Sequence, residues 1–78
     1  MGTGEIATQI AALNKADLAF RLAEWHCQEA ETPSEQRRYA KASLHAAMQR
    51  AFIFAWLEKR QVTLKKLNGE YVQKEYSL

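Results

Sequence analysis

One interruption governs what this chain of 78 residues can fold into. Between two long stretches of helical periodicity stands "TPSE", Thr32 to Glu35. Thr32 can cap a helix, Pro33 suits the first helical position because its missing N–H would be unpaired there anyway, and Glu35 sits where a capping box places its acid. A helix therefore starts at Pro33. The segment before Thr32 is also helical in pattern, so the connection is only a residue or two, and a connection that short makes the two helices antiparallel neighbours. The expected architecture is all-α, a single helical-hairpin domain over residues 1–78: helix 4–31, turn at 32, helix 33–67 and a short tail over 68–78.

Each helix is apolar along two lines. In the first, Ile6, Ile10, Leu13, Asp17, Phe20, Glu24 and Cys27 recur by alternating steps of four and three, the seam of a packed helix. A second line holds Ala11, Leu18, Leu22 and Trp25. In the second helix one seam runs through Tyr39, Ala46, Ile53, Leu57 and Leu64 with Arg50 among them, and the other through Ala40, Leu44, Ala47, Met48, Ala51 and Ala55, with Phe52 at its edge. Phe52 to Leu57 is apolar at every position.

A hairpin has one internal interface, so a second apolar line on each helix needs another cover. Size points the same way. A chain this short builds a core that gives only a few kcal/mol of net stability, and the single Cys27 leaves no internal disulfide to add to it. The expectation is a homodimer forming a four-helix bundle, with Leu18, Leu22, Trp25, Ala40, Leu44, Ala47, Met48, Ala51, Phe52 and Ala55 at the interface. A monomer whose extra stripe is covered by its own C-terminal tail is the alternative.

Charge selects the inner seams. Residues 1–32 carry two basic groups against five acidic, and residues 33–78 nine against four, so the halves attract. With the turn at Thr32, positions whose numbers sum to roughly 64 lie level, which sets Asp17 near Arg50 and Glu24 beside Lys41. An unpaired charge in a packed interface costs several kcal/mol, so the seam carrying the acids packs on the seam carrying Arg50.

Past Arg60 the pattern weakens. Leu57, Leu64 and Leu67 continue the second seam, Lys65 and Lys66 suit a helix C-terminus, and Asn68-Gly69 makes a good C-cap, so the helix is expected to reach Leu67. The alternative is a β-hairpin turning at Asn68-Gly69, favoured by β-branched Val62 and Thr63 but lacking clean alternation on its faces.

No residue set points to chemistry. His26 and Cys27 are adjacent and diverge by about 100° on a helix, and His45 lies turns away, so no metal site and no cofactor is expected. Asp17 and Glu24 stand about 10 Å apart along the axis, too far to share a proton. Nothing resembles a Gly-rich phosphate loop, and Cys27 on the seam reads as a core residue. Nor does the chain show a basic leader, an apolar run near the roughly 20 residues that cross a bilayer, or a myristoylation motif, since Ile6 stands where Ser or Thr belongs. A cytoplasmic, non-enzymatic protein away from membranes is expected.

The layout over residues 5–60, a long helix, a Pro-containing capped turn and a second helix rich in Ala and aromatics, resembles the small two-helix co-chaperones of type III secretion needle subunits. It is also similar to many short phage and plasmid regulators. The likeness is one of layout, with no residue motif to carry across. The expected function is protein binding, as an adaptor, small chaperone or inhibitor. The expected anchors are Phe54, Trp56, Tyr71 and Tyr76, inside a rim of Arg37, Arg38, Lys59 and Arg60 that favours an acidic partner. Nucleic-acid binding through the Lys and Arg patches of the second helix is the alternative.

Overall fold

The computed structural model describes residues 2–74. Helix α1 spans Gly2–Glu29 and α2 spans Pro33–Lys59, followed by strands β1, Leu64–Leu67, and β2, Glu70–Gln73. The protein is thus two long antiparallel helices plus a two-stranded antiparallel sheet.

The turn between the helices is built as its residues dictate. Thr32 is extended, and its hydroxyl accepts a hydrogen bond from the Glu35 N–H at 3.1 Å while its carbonyl accepts from the Gln36 N–H at 3.0 Å. Beyond the turn, His26 stacks on Tyr39 at 4.9 Å between ring centroids, and the Cys27 thiol contacts the Gln36 carbonyl oxygen at 3.5 Å. These cross-helix pairs fix the antiparallel register.

Between the helices lies a thin core. Leu13 and Leu57 are the large side chains that are fully buried, and Ala16, Ala23 and Ala46 fill the close approaches around them. Asp17, only 3% exposed, sits among them. Its Oδ1 accepts from Arg50 Nη1 at 2.8 Å, and its Oδ2 faces Arg21 Nε at 3.3 Å and Lys66 Nζ at 3.9 Å. The Arg50 guanidinium also lies over the Phe20 ring, 4.1 Å from its centroid. The inner seams therefore pair as the charge argument requires at Asp17, but not at Glu24. Glu24 is exposed, and no ion pair joins it to Lys41 among the described residues. At the surface an acid needs no such partner, because water solvates it.

The second helix stops eight residues short of the expected Leu67, at Lys59. Its last turn closes as a Schellman motif: the Val62 N–H bonds to the Leu57 carbonyl at 3.0 Å and the Gln61 N–H to the Glu58 carbonyl at 2.9 Å, with Gln61 at φ 58. Glycine normally fills that left-handed position, so the sequence carries no obvious stop signal there. Val62 then stands beside Leu57, and together they line one cleft. A glutamine held left-handed costs about 1 kcal/mol relative to glycine. Gln61→Gly should therefore stabilise the protein by up to about 0.5 kcal/mol, allowing for the looser unfolded chain, read as a higher urea midpoint at unchanged helical content. A fall in the midpoint would mean that this stop depends on something other than Gln61.

From Leu64 the chain forms the hairpin in place of further helix. Asn68 at φ 55 and Gly69 at φ 83 make the tight turn that suits the right-handed twist of paired strands. Leu64 stands opposite Gln73, and the ladder runs to Leu67 opposite Glu70. An isolated two-stranded ribbon is marginal in water, so the helices must hold it. They do so through Asn14, whose side-chain amide donates to the Tyr71 carbonyl at 2.8 Å while its oxygen accepts from the Tyr71 N–H at 2.7 Å. In effect Asn14 is a one-residue third strand. Phe54 packs edge-on against the Tyr71 ring at 5.2 Å, and Lys66 reaches both Asp17 and the Tyr71 ring face, the latter at 4.4 Å. The blurred alternation of the strands reflects this attachment. Tyr71 and Val72 are both half-buried, while Leu67, at the turn, stays exposed.

Candidate protein-interaction surface

The Cα envelope measures 54 × 22 × 16 Å. A helix's Cα cylinder is only about 5 Å across, so this cross-section holds the two-helix layer with the β-hairpin packed on it. Such a layer leaves the outer flank of each helix without a neighbour, and both outer flanks are apolar. On α1, Leu18 and Leu22 are 50% exposed and Trp25 56%. On α2, Leu44 and Met48 are 62% exposed and Phe52 82%. Ala40, Ala51 and Ala55 are exposed with them, and Ala47 is half-buried.

Counting about 100° per residue from the buried positions places each exposed line roughly 160° round its helix from the core. Each line therefore lies largely on the outer side of its helix, with Met48 and Phe52 also bordering the groove between the helices. The expected dimer interface draws on both lines.

The expected anchors are dispersed by the fold. Phe54 and Tyr71 pack edge-on against each other, each half-buried. Trp56 is half-buried with the Arg60 guanidinium 3.7 Å above its ring, and Arg60 also donates to the Trp56 carbonyl at 3.2 Å. Tyr76 lies outside the described residues. Arg37, Arg38, Lys59 and Arg60 are exposed. The first two open α2 and the last two close it, roughly 33 Å away, so they bracket the helix and do not form one rim. Between the brackets, Met48, Ala51, Phe52, Ala55 and Trp56 form a shallow open trough that ends at Glu58, Lys59 and Arg60. A second trough runs along the helix–helix junction, where Ala12, Ala16 and Ala19 of α1 face Met48 and Phe52 of α2.

Asn14 and Lys66, which hold the hairpin, are not marked by any sequence pattern; their roles depend on partners far along the chain. As for chemistry, Asp17 has its oxygens engaged by three cations, and among the described residues no group of three or more His, Cys, Asp or Glu side chains is placed to hold a metal ion. Among the same residues no helix is long and apolar enough to cross a membrane. The fold and surface together define a class, a two-helix hairpin with a β-hairpin strapped to its side and an apolar flank on each helix. No family model, no curated protein and no solved structure matches the chain.

Proposed function

We propose that this chain is a small non-enzymatic interaction module, an adaptor, small chaperone or inhibitor, that self-associates through one helix flank and holds another protein by burying surface. The observation that carries the reading is the exposure of six large apolar side chains, Leu18, Leu22, Trp25, Leu44, Met48 and Phe52, in regular lines outside a core with, among the described residues, two fully buried large ones. Contiguous exposed apolar surface of this kind marks interaction sites.

A two-fold axis buries the same patch of both copies, so one dimer covers one flank. The α1 flank suits that contact. An antiparallel pair of α1 helices centred on Leu22 sets Lys15 of each copy level with Glu29 of the other, placing opposite charges at both ends of an apolar middle. The two hairpins then contribute four helices to one assembly, which leaves the α2 flanks outermost.

The nucleic-acid alternative has less to support it. Lys66 is engaged by Asp17 and Tyr71, which leaves Lys59, Lys65 and the exposed Arg60 as the phosphate contacts of that region. Sedimentation over a wide concentration range tests the reading. A dimer is expected for the native chain and a monomer for Leu22→Asp at unchanged helical circular dichroism, the substitution lying at a half-exposed position. A native chain that stays a single, cooperatively melting copy at high concentration rules out self-association. Duplex binding that weakens steeply with salt, with a flatter slope after replacing Lys59, Arg60, Lys65 and Lys66, would establish the alternative.

A further inference from the structure

We infer that the outer flank of α2 is a docking surface for an acidic amphipathic helix of another protein. The inference rests on the interaction-module reading and deepens it by naming the occupant. Leu44, Met48 and Phe52, spaced four residues apart, make one exposed ridge, and Ala51 and Ala55 beside them leave a trough into which a partner's side chains can drop. Arg37 and Lys41 stand on the same line of the helix at one end of the ridge and Lys59 at the other. Arg60 adds a further cation at that end, and Glu58 is the one acid lining the trough.

This charge pattern selects the occupant. A second copy presenting the same flank in antiparallel fashion, centred on Met48, would bring Arg37 level with Lys59 of the other chain at both ends. A parallel pair would set each cation against itself. Like charges facing each other across an interface count against both arrangements. A helix with an apolar stripe and carboxylates toward its ends meets the same surface with opposite charges, and the span from Arg37 to Lys59, about 33 Å, matches a helix of roughly 20 residues. An anionic bilayer is a poorer match, because interfacial helices carry basic residues alongside the apolar stripe for their whole length. Here the positions flanking the ridge are His45, Gln49 and Ala51.

The test uses the full chain and a fluorescein-labelled synthetic helix of about 20 residues with a leucine stripe and glutamates at both ends, a length set by the helical rise. Its companion carries lysines at the same ends, and phosphatidylserine vesicles serve as the lipid probe. Anisotropy should show saturable binding of the acidic peptide, at least about tenfold tighter than the basic one. Binding should be lost in Phe52→Asp, with dimerisation and helical content intact, and the preference for the acidic peptide should fall to near parity in Lys41→Glu/Lys59→Glu, since Arg37 and Arg60 remain. Equal affinity for both peptides, capture of the vesicles in preference to the acidic peptide, or dissociation of the dimer by Phe52→Asp would each overturn the inference. A native dimer that ignores the acidic peptide defeats the docking site and leaves self-association standing. A monomer that binds it does the reverse.

Discussion

Leu57→Ala should remove about 3 kcal/mol of stability, the ordinary cost of emptying a buried leucine site. In a chain of this size that is half or more of the total. Leu57 is 1% exposed and does two things at once. Its side chain fills the core where the helices and the hairpin meet, and its carbonyl accepts the Val62 N–H that ends α2. Truncation leaves the hydrogen bond but takes away the apolar surface on which Val62 closes the motif. The measurement is urea unfolding followed by both helical circular dichroism and tryptophan fluorescence. Phe52→Ala, at an 82% exposed position on the same helix, should change stability by no more than about 0.5 kcal/mol in dilute solution. Similar losses for the two variants would mean that the α2 flank is buried in the native assembly, and the placement of the core would have to be redrawn.

Arg50→Ala is expected to cost about 3 kcal/mol by a different route. Asp17 is buried, and Arg50 supplies the short hydrogen bond to its Oδ1, while Arg21 and Lys66, each about half exposed, reach only Oδ2 at longer range. Losing Arg50 leaves the buried Oδ1 without its donor and the carboxylate only partly compensated by the two more distant cations, and it is this deficit that destabilises. The pair itself adds little beyond what a well-packed apolar pair would give. Replacing both residues with apolar groups of similar volume, Asp17→Leu with Arg50→Met, should therefore recover most of the loss. A double-mutant cycle should give a coupling of more than about 1 kcal/mol. Additive effects would show that the ion pair is incidental to the packing of α1 on α2.

Lys66 also links this charge cluster to the hairpin through the Tyr71 ring. Loss of Arg50 should thus loosen β1 and β2 along with the helix interface, which faster amide exchange at Tyr71 would reveal.

Much of the fold is legible because it is local. A threonine, a proline and a glutamate in four positions specify a helix start, and steps of three and four specify which face turns inward. The pairing of Asp17 with Arg50 can be reached by counting back from the turn, since so short a connection fixes the register of α2 on α1. Glu24 and Lys41 lie at similar levels, yet no contact forms between them. Level says nothing about rotation, and the core line drifts off Glu24 onto Ala23.

The C-terminal quarter departs from its periodic pattern for an identifiable reason. Helix continuation to Leu67 is the tidier pattern, because Leu64 and Leu67 fit the seam and no glycine marks an earlier stop. The actual stop uses Gln61 in a conformation that glutamine adopts at a cost, and the hairpin beyond it owes its place to Asn14, 57 residues upstream of Tyr71. Neither feature leaves a periodic trace. The contact between Tyr71 and Phe54 leaves no periodic trace either, since it exists only once the hairpin folds back.

Residue order alone therefore specifies two antiparallel helices, their turn at Thr32, their inner seams and the surplus of apolar surface, all of which depend on backbone geometry within a few turns. Where α2 ends, what secures the hairpin, and the splitting of the surplus between two flanks are settled in three dimensions. Those outcomes rest on contacts between distant segments and on the rotation of each helix about its axis, which side-chain packing sets and spacing along the chain does not encode.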